Sequence, residues 1–140
     1  MIPGFGTAAK LVIASALSLP ALAHPPSLIE GRFCGTAWSG GQLVEVVTTL
    51  STESNGLLVG SYLFADNGED TPGTLREYLK QDDDARTMVW IDKYGTGQLT
   101  VHFDPMRDSF TGKWGVEVET PTYRWDGTRC SDDVASLQRL

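Results

Sequence analysis

Beyond residue 31, apolar and polar residues alternate with a period of two along most of the chain. In the stretch LVEVVTTL, Val44, Val46, Thr48 and Leu50 share one face, while Leu43, Glu45, Val47 and Thr49 share the other. Successive side chains of an extended strand point to opposite sides, so this spacing predicts a β-strand. The turn-forming run STESNG follows, and LLVGSYLF resumes the extended pattern. The clearest hairpin is TMVWIDKYGTGQLTVHF, in which two β-rich arms flank DKYGTG, whose glycines tolerate positive φ. On the second arm, Leu99, Val101 and Phe103 fall on one side and Thr100, His102 and Asp104 on the other. DSFTGKWGVEVE then sets Phe110, Gly112, Trp114, Val116 and Val118 opposite Thr111, Lys113, Gly115, Glu117 and Glu119, the pattern of an antiparallel strand with one solvated face. A shorter extended segment, YRW, precedes the second cysteine.

One segment fits two patterns. Thr74-Leu75-Arg76-Glu77 has the spacing of a helix capping box, and Leu75 and Leu79 are four apart, which predicts a short helix or helical turn between the third and fourth strands. The same residues also alternate as a strand. Residues 24–31 form an extended lead-in, because Pro25 and Pro26 donate no ladder hydrogen bonds.

The pattern gives about seven or eight strands around one core, mainly β, and a small antiparallel β-barrel is the expected architecture because closure removes exposed edges. A two-sheet β-sandwich is the alternative. Glycine precedes an aromatic residue in Gly35-Thr36-Ala37-Trp38, Gly60-Ser61-Tyr62 and Gly112-Lys113-Trp114. Such glycines make room for a ring and permit the strand curvature of a small barrel.

The first 23 residues break from this pattern. Lys10 is followed by the apolar run Leu11 to Leu19 and by the small-residue ending Ala21-Leu22-Ala23, the order of a cleavable secretory signal peptide. The run is too short for a membrane span, which needs about 20 apolar residues. Residues 24–140 are then expected to form a single exported β domain, periplasmic or extracellular, with no membrane insertion after cleavage. Two cysteines, Cys34 and Cys130, lie near the ends of that domain and are expected to form one disulfide. It would close a loop of about 100 residues, for which chain entropy alone gives about 4.7 kcal/mol as an upper value. No C-x-x-C pair suggests redox chemistry.

The chain carries 18 acidic against 11 basic side chains, a net charge of -7, and losing Lys10 with the leader makes it more negative. Such a balance repels phosphate, so nucleic acid is excluded as an expected partner. A cationic secreted protein, or a small apolar or glycan ligand, remains compatible.

Candidate chemistry is sparse. Cleavage would expose His24, whose amine and imidazole suit Cu(II), with His102 as a third nitrogen, although a solvated terminus explains the residue equally. His102 lies on the polar face of its strand near Asp104, and across the hairpin from Asp92, yet no nucleophile motif accompanies it. Asp66-Asn67-Gly68-Glu69-Asp70 resembles part of an oxygen-ligand loop but lacks the spacing of a calcium hand. Asp82-Asp83-Asp84 is the densest charge run and suits a cation or a basic partner. No metal or other cofactor is expected.

The aromatic residues Trp38, Tyr62, Trp90, Trp114, Tyr123 and Trp125 either line a cavity or fill the core. Val89 and Ile91 supply one apolar face, leaving Trp90 opposite them beside Met88, whereas Trp114 stands in line with Phe110 and Val116 and is the expected structural core residue. The functional expectation is a non-catalytic module that binds another protein, such as an inhibitor of a basic secreted hydrolase. Its contact residues would come from Trp38, Tyr62, Trp90, Asp82, Asp83 and Asp84. The alternative is a small-ligand carrier with an aromatic-lined pocket at the barrel mouth. A glycan hydrolase would need two carboxylates in a cleft about 5 to 9.5 Å apart, and a structural accessory protein a large exposed apolar patch.

Overall fold

The computed structural model describes residues 29–82 and 84–131, so the leader, His24 and Asp83 lie outside the described residues. Eight strands follow in chain order: β1 (Gly31–Ser39), β2 (Gln42–Thr52), β3 (Leu58–Asp66), β4 (Glu69–Arg76), β5 (Ala85–Asp92), β6 (Gly95–Phe103), β7 (Ser109–Val116) and β8 (Tyr123–Arg129). Each pairs antiparallel with the next, and β8 returns to β1 from Phe33↔Arg129 to Ala37↔Trp125, which closes the barrel. Closure rules out the two-sheet sandwich. It also leaves no strand edge along the wall.

Alternation decides which side chains enter the barrel. Val46, Thr48 and Leu50 of β2 are buried, as are Leu99, Val101 and Phe103 of β6, on the faces that the sequence pattern assigns. The two-residue turn Asn67-Gly68 between β3 and β4 has positive φ at both residues (52° and 88°), the geometry of a tight hairpin turn that matches strand twist. The β5–β6 hairpin turns at Lys93-Tyr94, between the paired residues Asp92 and Gly95. Gly35, Gly60 and Gly112 each abut a carbonyl of a neighbouring strand, those of Asp126, Thr49 and Trp125 respectively, rather than an aromatic ring. Glycines that make room for rings include Gly73, where a methyl group would overlap the Tyr62 phenol, and Gly127, where it would press on the Phe110 ring.

The expected helix does not form. Thr74, Leu75 and Arg76 belong to β4 and pair with β3 and β5. The alternation wins because Thr71, Leu75 and Glu77 are all buried, whereas Leu79 is 76% exposed and does not stack on Leu75. Glu77, instead of capping a helix, points into the barrel. Its Oε1 accepts from Leu58 N (3.0 Å) and Arg86 Nη2 (2.6 Å), and its Oε2 accepts from Arg86 Nε (2.7 Å).

This buried pair also fixes the register of β5. With Arg86 inside, Met88 and Trp90 follow it inward, and Ile91 lies 51% exposed on the outer surface. The apolar face expected of Val89 and Ile91 is therefore the outer face. On β7, Trp114 is partly buried, while Val116 at the strand end and Val118 beyond it are exposed. Of the two tryptophans, Trp90 is the more deeply buried.

One end of the barrel is filled. Phe33, Phe103 and Phe110 meet there with ring centroids 5.4 to 6.1 Å apart, over Leu58 and the Glu77–Arg86 pair. The Cys34–Cys130 disulfide links β1 to the residue after β8. Cys130 N adds a 3.0 Å hydrogen bond to Arg32 O, so the closing seam is fastened at this end.

Candidate functional site

The other end is open. Turns β1–β2, β3–β4 and β5–β6 border a cavity of about 370 Å³. All 4 tryptophans of the chain, Trp38, Trp90, Trp114 and Trp125, line it. Tyr62, Phe64 and Tyr94 complete the aromatic wall, and Asp66 and Asp92 bring carboxylates to it.

The strands hold these rings by their polar edges. Trp90 Nε1 donates to Gly115 O (2.9 Å), Trp114 Nε1 to Trp38 O (3.0 Å) and Trp125 Nε1 to the hydroxyl of buried Thr48 (3.0 Å). With these three indole N–H groups satisfied by the barrel wall, their ring carbons are left to meet a ligand. Trp90 and Trp114 stand edge to face with centroids 5.5 Å apart, and Tyr62 meets Trp125 in the same way at 4.8 Å. Fixed rings lose little freedom when a ligand arrives, which favours binding.

The two aspartates are positioned by neutral donors. Tyr62 lies beside Gly73, which in turn pairs with Asp92, so the phenol reaches over the bare glycine and donates to Asp92 Oδ2 at 2.8 Å. Burial first, then this hydrogen bond and the carboxylate charge, push the Tyr62 hydroxyl far above its ordinary range. Asp92 Oδ1 accepts from Tyr94 N at 2.8 Å. Asp66 Oδ2 accepts from Tyr94 Oη (2.6 Å) and Thr71 Oγ1 (2.8 Å), and those two bonds, the first above all, hold the Asp66 carboxyl below the usual carboxylate range. Tyr94 therefore ties the tip of the β5–β6 hairpin to the end of β3 across the rim.

Of the residues that the sequence marks as binding candidates, Trp38, Tyr62 and Trp90 come together in this cavity. Asp82 and Asp84 do not. They lie in the β4–β5 connection at the filled end, where Asp82 Oδ1 accepts from Asp84 N (2.9 Å) and Ala85 N (2.7 Å). Asp84 pairs with Arg107 at 2.8 Å. Trp114, expected as a structural core residue, packs against the core and also lines the cavity. His102 pairs across from Ala85, at the far end of the hairpin from Asp92. Among the described residues, no group of three or more His, Cys, Asp or Glu side chains is placed to hold a metal ion.

Phe64 and Tyr94 are not marked by the sequence pattern, and Asp66 and Asp92 are marked there only within an oxygen-ligand-like loop and as a carboxylate across the hairpin from His102. Their signal is parity: Phe64 and Asp66 follow Tyr62 on the same face, and Asp92 follows Trp90, each toward a hairpin turn. The fold and the site together define an eight-stranded antiparallel barrel with one filled end and one open, aromatic-lined end. Comparison with protein-family models, with curated proteins and with solved structures finds no match to this chain.

Proposed function

We propose that the protein is an exported binder of a small, largely apolar ligand, held in the open end of the barrel. The observation that carries this is the convergence of all 4 tryptophans on one cavity of about 370 Å³. Small-molecule sites are concave, mostly apolar, and about 300 to 1,000 Å³ in volume, with a few placed polar groups. An eight-stranded barrel is about the smallest that holds a ligand inside. Export rests on the leader-like first 23 residues and on the disulfide, which suits an oxidising compartment such as the periplasm or the outside of the cell. A basic protein partner is a separate proposal supported by the net negative charge alone, since Asp82 and Asp84 lie away from the aromatic cavity.

Titration with Nile red, a neutral apolar dye, tests the ligand proposal. Saturable one-to-one binding with quenching of tryptophan fluorescence is expected. Trp90→Ala should weaken it about tenfold, the scale of losing one well-packed aromatic contact. Ala37→Phe, which fills the cavity from β1 without removing a tryptophan, should compete in the same direction. A dye that stays unbound, or that binds both variants as well as the parent, would overturn the proposal.

A further inference from the structure

The charge of the cavity wall is one-sided. Asp66 and Asp92 line it, and no lysine, arginine or histidine does. Lys93 Nζ lies 3.6 Å from Asp66 Oδ2, but its side chain is 58% exposed and does not reach the lining. Asp92 has no ion-pair partner among the described residues. Asp92 is held by the Tyr62 hydroxyl and the Tyr94 amide, neutral donors that orient its charge without cancelling it, while Asp66 is held by Tyr94 and Thr71 and is partly offset by the exposed Lys93.

The carboxylates share β3 and β5 with Tyr62, Phe64 and Trp90, and a second set of rings faces them. Asp66 and Asp92 end β3 and β5, while Trp114, Trp125 and Trp38 come from β7, β8 and β1 across the barrel. A ligand lying between them meets two carboxylates on one side, of which Asp92 has no ion-pair partner among the described residues, and aromatic surface on both. An anion is repelled by that arrangement. A neutral apolar body gains the aromatic contacts but does not replace the water it displaces from the carboxylates, so it binds less tightly than a cation of the same shape. A cation answers both walls, through a charge-assisted hydrogen bond to carboxylate and attraction to ring faces. Acceptor capacity remains for an N–H donor, since Asp66 Oδ1 accepts no hydrogen bond among the described residues and a carboxylate has about four lone-pair sites.

We propose that the cavity selects an organic cation, an apolar body carrying a protonated amine, over neutral or anionic molecules of the same shape. This rests on the ligand-binding proposal above and names its ligand class. The test is a matched series with one ring system: tryptamine, indole-3-ethanol and indole-3-acetate, measured by calorimetry at pH 7 beside the Nile red titration. Tryptamine should bind at least about tenfold more tightly than the alcohol, with the acetate weakest. Asp92→Asn keeps the side-chain shape and an acceptor for Tyr62, and should remove most of that preference. Asp66→Asn should act in the same direction. Equal or tighter binding of the alcohol or the acetate would overturn the cation assignment. So would failure of all three compounds while Nile red still binds, with the ligand-binding proposal left standing. If Nile red fails as well, both proposals fall.

Discussion

The two ends of the barrel use buried or half-buried carboxylates in opposite ways. At the filled end, Glu77 is 0% exposed and faces Arg86, which is 3% exposed and also donates to Gly56 O at 2.9 Å. Charge meets charge inside, and the site is complete without a ligand. At the open end, Asp66 and Asp92 are anchored by hydroxyl and amide donors, and the cavity they face contains no cation of the protein's own. One end spends its polar groups on structure. The other pairs Asp66 only with the exposed Lys93 and leaves Asp92 without an ion-pair partner among the described residues, which is what separates a packed core from a binding site on the same eight strands.

The largest expected effect breaks the filled end. Glu77→Ala leaves the Arg86 guanidinium buried without its carboxylate and leaves Leu58 N without its acceptor. Removing one partner of a buried ion pair costs about 3 to 5 kcal/mol. Urea denaturation should show that loss as a lower midpoint with an unchanged slope. The double variant Glu77→Leu with Arg86→Met should lose less than the single one, because no uncompensated charge is left inside. Ligand affinity of the folded double variant should stay within about twofold of the parent, since neither residue lines the cavity. A loss below about 1 kcal/mol for Glu77→Ala would mean that water reaches Arg86 and that the two ends differ less than described.

A smaller effect is expected from the corresponding change at the open end. Gly73→Ala forces the Tyr62 ring away from β4 and so disturbs its bond to Asp92. Overpacking of this kind costs about 1 to 3 kcal/mol. Here the stability loss should come with weaker tryptamine binding, in contrast to the Glu77 variants. Unchanged affinity in a destabilised Gly73→Ala protein would show that Tyr62 does not position Asp92 for the ligand.

Much of this contrast is legible in the sequence at the level of strands and little of it at the level of the site. The faces of β2 and β6 follow from alternation, because each carries three inward apolar or small residues against mostly polar neighbours. In β5 both faces are apolar, so Val89 and Ile91 compete with Met88 and Trp90 for the interior. What decides is a long-range pair, Arg86 with Glu77, which periodicity cannot see. The same pair explains the helix that does not form, since a capping-box glutamate and a buried ion-pair glutamate have identical local spacing. The disulfide is readable because two cysteines allow one pairing. The cavity is not, because Trp38, Trp90, Trp114 and Trp125 are brought together by closure of β8 on β1, and only that closure sets the Trp38, Trp114 and Trp125 rings across from Asp66 and Asp92.

The smallest expected effect separates the ends by pH. The Asp66 carboxyl is depressed by Tyr94 and Thr71 at the open end, while Asp82 and Asp104 are depressed at the filled end, chiefly by the backbone amides of Ala85 and Ser109. A depressed carboxyl contributes stability that is present above its unfolded value of about 3.9 and is lost as pH falls through its folded value. Acid therefore loosens both ends. Alkali acts on one, because the raised tyrosines, Tyr62 and Tyr94, both belong to the open end. A raised phenol contributes stability that is fully present below its unfolded value of about 10 and is lost as pH rises toward the folded one, since the unfolded chain releases its proton first. Urea midpoints measured from about pH 8 to 11.5 should fall above pH 10 in the parent and fall less steeply in Tyr62→Phe, which has no proton to release there. Tyr94 keeps the variant's slope from vanishing. Identical alkaline slopes would place the loss elsewhere in the barrel and remove the pH distinction between its two ends.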